Sequence, residues 1–380
     1  MERNNAIWLL LGLAGMLRVL PSVAQPVVAQ PVVAQPVVAQ PVAAQPVAAQ
    51  AGAAPADSVR KADLFAADAP LSFTLAAQMK VVVDDRTMPK ADSLATRHPA
   101  ELTWQDASGE LQPLPVALMV RGNFRRNQTN CAFPPLYIDF PKKKAKSTPF
   151  AGQNKLKLVT HCQGDEYVVR EYLVYKVYNL VTPYSYRARM ARVTYVDSLQ
   201  KRPNETRWGF LIEDEDNVAK RNGMRETKTT VQTSEVDSLN MATMAVFEFM
   251  IGNIDWSVPY RHNVRLMAVR GDESPKIIPY DFDHSVLVDA PYASLPDEDG
   301  RTYRGALYPG WLMKRVFNRY NELKPAIYSL YESDKRLTRS YVKQATRHLD
   351  KFYALINNPA QVKAYFFNGD TGGKLFASFN

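Results

Sequence analysis

Residues 155–181 change period halfway along. Lys155-Leu156-Lys157-Leu158-Val159 alternates charged and apolar residues, so Leu156 and Leu158 share one face of a strand and both lysines share the other. Val169, Leu173, Val177 and Leu180 then recur at helical spacing and predict a helix over 166–181. Towards the N-terminus the pattern stays strand-like. Residues 71–75, 79–83, 116–120 and 136–140 alternate or are rich in β-branched and aromatic side chains. Residues 192–196 and 208–212 predict two further strands. Beyond Gly223 a helix is predicted over 235–251 (Leu239, Met244, Phe247, Met250, Ile251), with Asp237 or Ser238 near its start. A hairpin follows at 264–269 and 276–279, and from Tyr308 to Phe367 the pattern is mostly amphipathic helix. The order predicts an α+β fold with a strand-rich lobe (57–215), a helical lobe (216–380) and a cleft between them as the default site.

Composition narrows the class. The chain has 380 residues, 46% hydrophobic and 11% aromatic, enough apolar surface for a large core and against wholesale disorder. Two cysteines cannot build a disulfide scaffold. At the N-terminus Arg3 precedes an apolar run over 6–17, and Ser22 and Ala24 supply a small-x-small site. Residues 1–24 are therefore expected to be a signal peptide cut after Ala24, with an uncleaved anchor helix as the alternative. Residues 25–49 are five pentads, Gln-Pro-Val-Val-Ala three times and Gln-Pro-Val-Ala-Ala twice. Proline at every fifth position blocks helix and sheet, so 25–56 reads as a semi-extended linker, a stalk or a tolerant repeat. Export would permit a disulfide. Cys131 and Cys162 either pair, which would stabilise the chain by about 3 kcal/mol, or remain two free thiols. The net charge of +9 is concentrated: residues 121–228 hold 21 basic and 11 acidic groups, which suits an anionic partner at that segment.

The chemistry-bearing residues follow the 235–251 helix: Gly252-Asn253-Ile254-Asp255-Trp256, then His262-Asn263, then Pro279-Tyr280-Asp281-Phe282-Asp283. Carboxylates and an amide at the ends of adjacent elements are hard oxygen ligands suited to Mg²⁺. The same kit serves phosphoryl transfer, with one Asp orienting or deprotonating the acceptor and an Asn and an Asp on the metal. Taken alone, Asp281-Phe282-Asp283 is equally a turn-capping device. A zinc site from His262, His284 and Asp281 lacks any supporting ligand spacing. No Walker motif and no Gly-x-Ser-x-Gly elbow is present.

Five segments in register resemble the CotH kinase family, a group of atypical secreted protein kinases. They are Arg121-Gly122-Asn123, Gly209-Phe210-Leu211-Ile212-Glu213, Gly252-Asn253-Ile254-Asp255, His262-Asn263 and Pro279-Tyr280-Asp281-Phe282-Asp283. The resemblance spans roughly 115–290. It implies a two-lobed protein-kinase-like fold that binds ATP with Mg²⁺ or Mn²⁺ and phosphorylates Ser or Thr of a protein acceptor. Asp255 matches the catalytic aspartate, Asn263 and Asp281 match metal positions with Asp283 beside them, and Glu213 matches the glutamate leading out of the first lobe. The family's lysine-rich strand is here 133–140 and has no lysine. Lys157, Glu171 and Arg121 are therefore the candidates for the nucleotide phosphates, with Lys157 and Glu171 as the cation and its helical partner. The chain is expected to act as a monomer, with no nucleic-acid partner and no membrane span in the mature protein. Two other functions fit the same residues: a kinase-like binding protein without turnover, and a metal-dependent hydrolase.

Overall fold

In the computed structural model, which describes residues 63–89, 94–269, 271, 274–293 and 302–367, the alternating segments form seven strands. These are β1 (Leu71–Ala77), β2 (His98–Gln105), β3 (Leu111–Val120), β4 (Leu136–Asp139), β5 (Lys155–Val159), β6 (Ala188–Asp197) and β7 (Glu205–Ile212). They close into a barrel in the order β1-β2-β3-β4-β5-β7-β6. All neighbours are antiparallel except β1 and β6, which run parallel with Leu71 opposite Ala191. The period-2 pattern works as expected. Leu75, Leu102, Leu118, Ile138, Leu156, Leu158, Val193 and Leu211 point inward and are fully buried together, while Lys155 and Lys157 lie on the outer face. Gly209 in β7 faces the Val159 carbonyl of β5, where a Cβ would sit only 2.8 Å from that oxygen.

The closed barrel corrects the predicted fold class. The expected α+β, two-lobed protein-kinase-like fold is not formed: the strand-rich half is a closed seven-stranded barrel. Closure depends on β2, whose polar alternation carried no strand prediction, and on β6 reaching β1 about 120 residues away. Local periodicity encodes neither. A second correction concerns 79–83, which forms helix α1 (Met79–Asp84). Its valines suggested a strand, but Met79, Val82 and Val83 are buried at helical spacing while Val81 is exposed.

Helix α2 (Asp165–Val181) packs on the outside of β6 and β7, with Tyr172 and Tyr175 against Phe210. Helix α3 (Glu215–Arg221), which carried no prediction, begins at an Asp214 cap. Strand β8 (Arg225–Glu226), helix α4 (Ser238–Ile251), and strands β9 (Val264–Ala268) and β10 (Lys276–Pro279) follow. The expected 264–279 hairpin is present, with β8 added as a third strand. Helices α5 (Gly310–Glu332), α6 (Arg339–Ile356) and α7 (Pro359–Phe366) complete the chain, and their apolar stripes join α2, α4, β9 and β10 in a second core. All described residues belong to one compact unit. The predicted signal peptide and the 25–56 linker lie outside the described residues. Among the described residues, no helix is long and apolar enough to cross a membrane.

Candidate functional site

Helix α4 delivers the first part of the site. Asp237 caps its start by accepting from the Asn240 backbone N–H (2.7 Å). Gly252 ends it in the left-handed region (φ +70°), which a residue without a Cβ adopts cheaply. Two residues carry this helix end into the loop. Asn253 Nδ2 donates to Glu248 Oε2 (2.9 Å), and Asn253 Oδ1 accepts from the Asp255 backbone N–H (3.0 Å). Asp255 is thereby aimed. Its Oδ1 lies 2.8 Å from His262 Nε2, and Asn263 Nδ2 donates to both its backbone carbonyl (2.7 Å) and its Oδ2 (3.0 Å). Asp255 remains over one-third exposed.

The β9–β10 hairpin delivers the second part. Asn240 of α4 clamps β10 through both backbone groups of Ile277. Tyr280 N–H then donates to the Asn263 carbonyl (3.0 Å), which sets Asn263 and Asp281 side by side. Both have positive φ, +53° and +66°, a strained backbone for non-glycine residues that is favoured at functional sites. The Asp281 N–H donates to the Tyr175 hydroxyl of α2 (2.9 Å). Tyr175 lies one helical turn after Glu171, so α2 supplies two groups from one face.

Arg125 joins these parts, and sequence reasoning missed it. It follows β3 in a short 3₁₀ turn, Phe124–Arg126, and its side chain is almost fully buried. Its three nitrogens each meet a different carboxylate: Nη1 to Glu171 (3.3 Å), Nη2 to Asp281 (2.7 Å) and Nε to Asp283 (3.3 Å). The turn is held in place on several sides. Arg126 donates to the carbonyls of Gly122 and Val120, and Arg86 donates to those of Arg126, Cys131 and Ala132. The Cys131–Cys162 disulfide pins the following segment to the end of β5. A signal for Arg125 existed. Glu171 falls among the apolar residues of α2, and a buried carboxylate needs a cation or a proton.

Burial and neighbouring charges set the protonation of this cluster. Burial works against the charge on Asp281, yet Arg125 and Arg121 hold its carboxyl below the ordinary range. Burial raises Asp283, only partly offset by Arg125 and reinforced by the Asp281 charge. Burial also pushes Glu171 up to about 8 against the pull of Arg125, with Asp283 and Asp281 adding to the rise. Arg125 itself, despite burial, is driven well above its usual value by Asp283 and Glu171, so it stays charged.

Arg121, Arg125, Asp255, Asn263, Asp281 and Asp283 line one cavity of about 90 Å³. That space holds several waters and has room for a phosphoryl group. Four predicted residues (Asp255, Asn263, Asp281, Asp283) and Arg121 therefore converge, and Glu171 reaches them through Arg125. Lys157 and Glu171 do not pair. Lys157 is buried against Glu215 (2.5 Å), with the Tyr186 and Tyr280 rings nearby, and burial lowers its pKa. Glu213 is fully buried away from the cavity, where it binds Arg187 (2.8 Å) and Arg221 (3.1 Å). The Cys131–Cys162 pairing is formed.

The donor set suits a hard cation. Asn263 commits its Nδ2 to Asp255, which leaves its Oδ1 as the amide's acceptor atom, and Asp281 is 36% exposed with one oxygen on Arg125. Glu171, Asp281 and Asp283 together also form an acidic triad of the kind that holds metal ions. Compared with known proteins, the chain matches no family model, and no curated protein matches it at a significant level. The CotH resemblance thus rests on its five segments alone.

Proposed function

We propose that this is an exported phosphotransferase that moves the γ-phosphoryl group of ATP to Ser or Thr of a protein acceptor. The observation that carries this reading is one cavity lined by Asp255, Asn263, Asp281 and two arginines. The proposal rests on this site and on no particular fold.

In this reading Asp255 accepts the acceptor hydroxyl's proton or orients its lone pair, held in position by Asn253, His262 and Asn263. Arg121 meets phosphate oxygens at the cavity mouth as a planar charged donor. Asn263 and Asp281 would hold Mg²⁺ or Mn²⁺, which would supply positive charge to offset that of the phosphate. A cavity of this size suits a phosphoryl group, so the nucleoside would lie outside it. Lys157, bound to Glu215, is not needed for this scheme.

The test is incubation of the full chain with γ-labelled ATP, Mg²⁺ or Mn²⁺ and a generic protein acceptor. Asp255→Asn should lower transfer by roughly 10²–10⁴-fold, the usual range for a positioned general base. Transfer that persists in Asp281→Ala would refute the metal assignment. A full chain that binds neither nucleotide nor metal, judged by an unmoved melting temperature, would instead favour a binding protein without turnover.

A further inference from the structure

Glu171, Asp281 and Asp283 each place one carboxylate oxygen within 4.8 Å of the others. Divalent ions sit ~2.0–2.6 Å from such oxygens, so an ion shared by all three would lie at the centre of the triad. The Arg125 guanidinium already contacts all three carboxylates. All three of its nitrogens are used, one per carboxylate, and the side chain is only 7% exposed. A metal entering the triad would have to expel a buried cation from its partners, which leaves an uncompensated charge behind. The edge of the cavity differs. There Asp281 is 36% exposed, and Asn263, whose Nδ2 is committed to Asp255, has its Oδ1 as the remaining ligand atom.

We propose that Arg125 is the built-in cation of the acidic triad, so that the cleft takes a divalent ion only at its Asp281–Asn263 edge and never a second ion among Glu171, Asp281 and Asp283. For the edge ion alone this rests on the function proposed above. A covalently attached cation offsets part of the inner carboxylate charge whatever the surrounding metal concentration. It also fixes Asp281 and Asp283 before any ligand arrives. Glu171 then serves as a positioning residue for Arg125 rather than as a metal ligand.

The test counts Mn²⁺ bound to the full chain by electron paramagnetic resonance of the free ion, for wild type, Arg125→Met and Glu171→Gln. Arg125→Met should bind one Mn²⁺ more than wild type, because the vacated triad becomes a ligand set. Glu171→Gln should leave the wild-type number unchanged and any affinity within about threefold, since one tenfold step is 1.4 kcal/mol and a lost carboxylate ligand would exceed it. An unchanged count in a folded Arg125→Met protein overturns the proposal. So does a wild-type count of two, or a tenfold loss of Mn²⁺ affinity in Glu171→Gln; these outcomes decide the matter should Arg125→Met fail to fold. A wild type that binds no Mn²⁺ beside an Arg125→Met protein that binds one would uphold the Arg125 inference while removing the metal-dependent function.

Discussion

Glu248→Gln should flatten the alkaline decline in stability. Glu248 lies on α4 and is 1% exposed; its carboxylate meets Asn253 Nδ2 at 2.9 Å. Burial pushes it up to about 8 from an ordinary 4.5; the Asn253 hydrogen bond pulls against this and the Asp255 charge adds to it. The folded value is above the unfolded one, so the folded chain favours the protonated carboxyl. Its contribution is complete below pH 4.5 and is lost as pH rises through 8. At ~1.36 kcal/mol per pH unit, the full loss is roughly 5 kcal/mol, about 3 of it between pH 6 and 9. Glutamine keeps an acceptor for Asn253 and cannot ionise, so the variant escapes that loss. Glu171, also near 8, titrates in both proteins and cancels in the comparison. The assay is urea denaturation of both proteins at pH 6 and pH 9. The variant should lose about 3 kcal/mol less than wild type across that interval. Equal losses would refute the assignment of a buried, protonated Glu248 beneath the Asp255 loop.

Two further outcomes bear on the barrel end of the site. Replacing Cys131 and Cys162 by serine should cost about 3–4 kcal/mol from loop closure, read as a lowered melting temperature, and reductant should reproduce the shift in the wild type. His161 sits between Phe133 and Tyr195, and burial lowers it to about 4 despite Glu205 nearby. Its folded value is below the unfolded 6.5, so its contribution is present above pH 6.5 and lost as pH falls through 4, a total of roughly 3 kcal/mol. His161→Gln should resist acid unfolding in that window, as measured by fluorescence-detected pH titration, and an unchanged acid midpoint would count against a buried neutral histidine.

Much of the site could be read along the chain because its residues lie at the ends of regular elements. Asp255 and Asn253 follow a helix with clear period and a glycine stop, and Asp281 and Asp283 follow a short apolar strand. Such ends are marked by local pattern, and the types of side chain there report oxygen-ligand chemistry directly. Lys157 lies on the strand face opposite Leu156 and Leu158, as the alternation predicts, but its partner was not legible. Glu215 belongs to α3, a seven-residue helix whose polar sequence carries little periodic signal, and a charge pairs with whatever the fold brings near.

Arg125 and the barrel mark the limit of that reading. Periodicity shows which face of a strand is apolar and therefore where each strand's core side points. It cannot show which strands meet, because pairing β1 with β6 trades the entropy of closing a long loop against contacts that no short window contains. Likewise, two buried carboxylates and a half-buried one from α2 and the segment after β10 call for a compensating cation, but any of the many basic residues in 121–228 would serve on paper. Only the packed structure, with the 3₁₀ turn after β3 tied down by Arg126, Arg86 and the disulfide, selects Arg125. The local pattern thus marked most of the elements and the residue types at their ends, while burial and long-range pairing settled the architecture and the identity of the cation among the carboxylates.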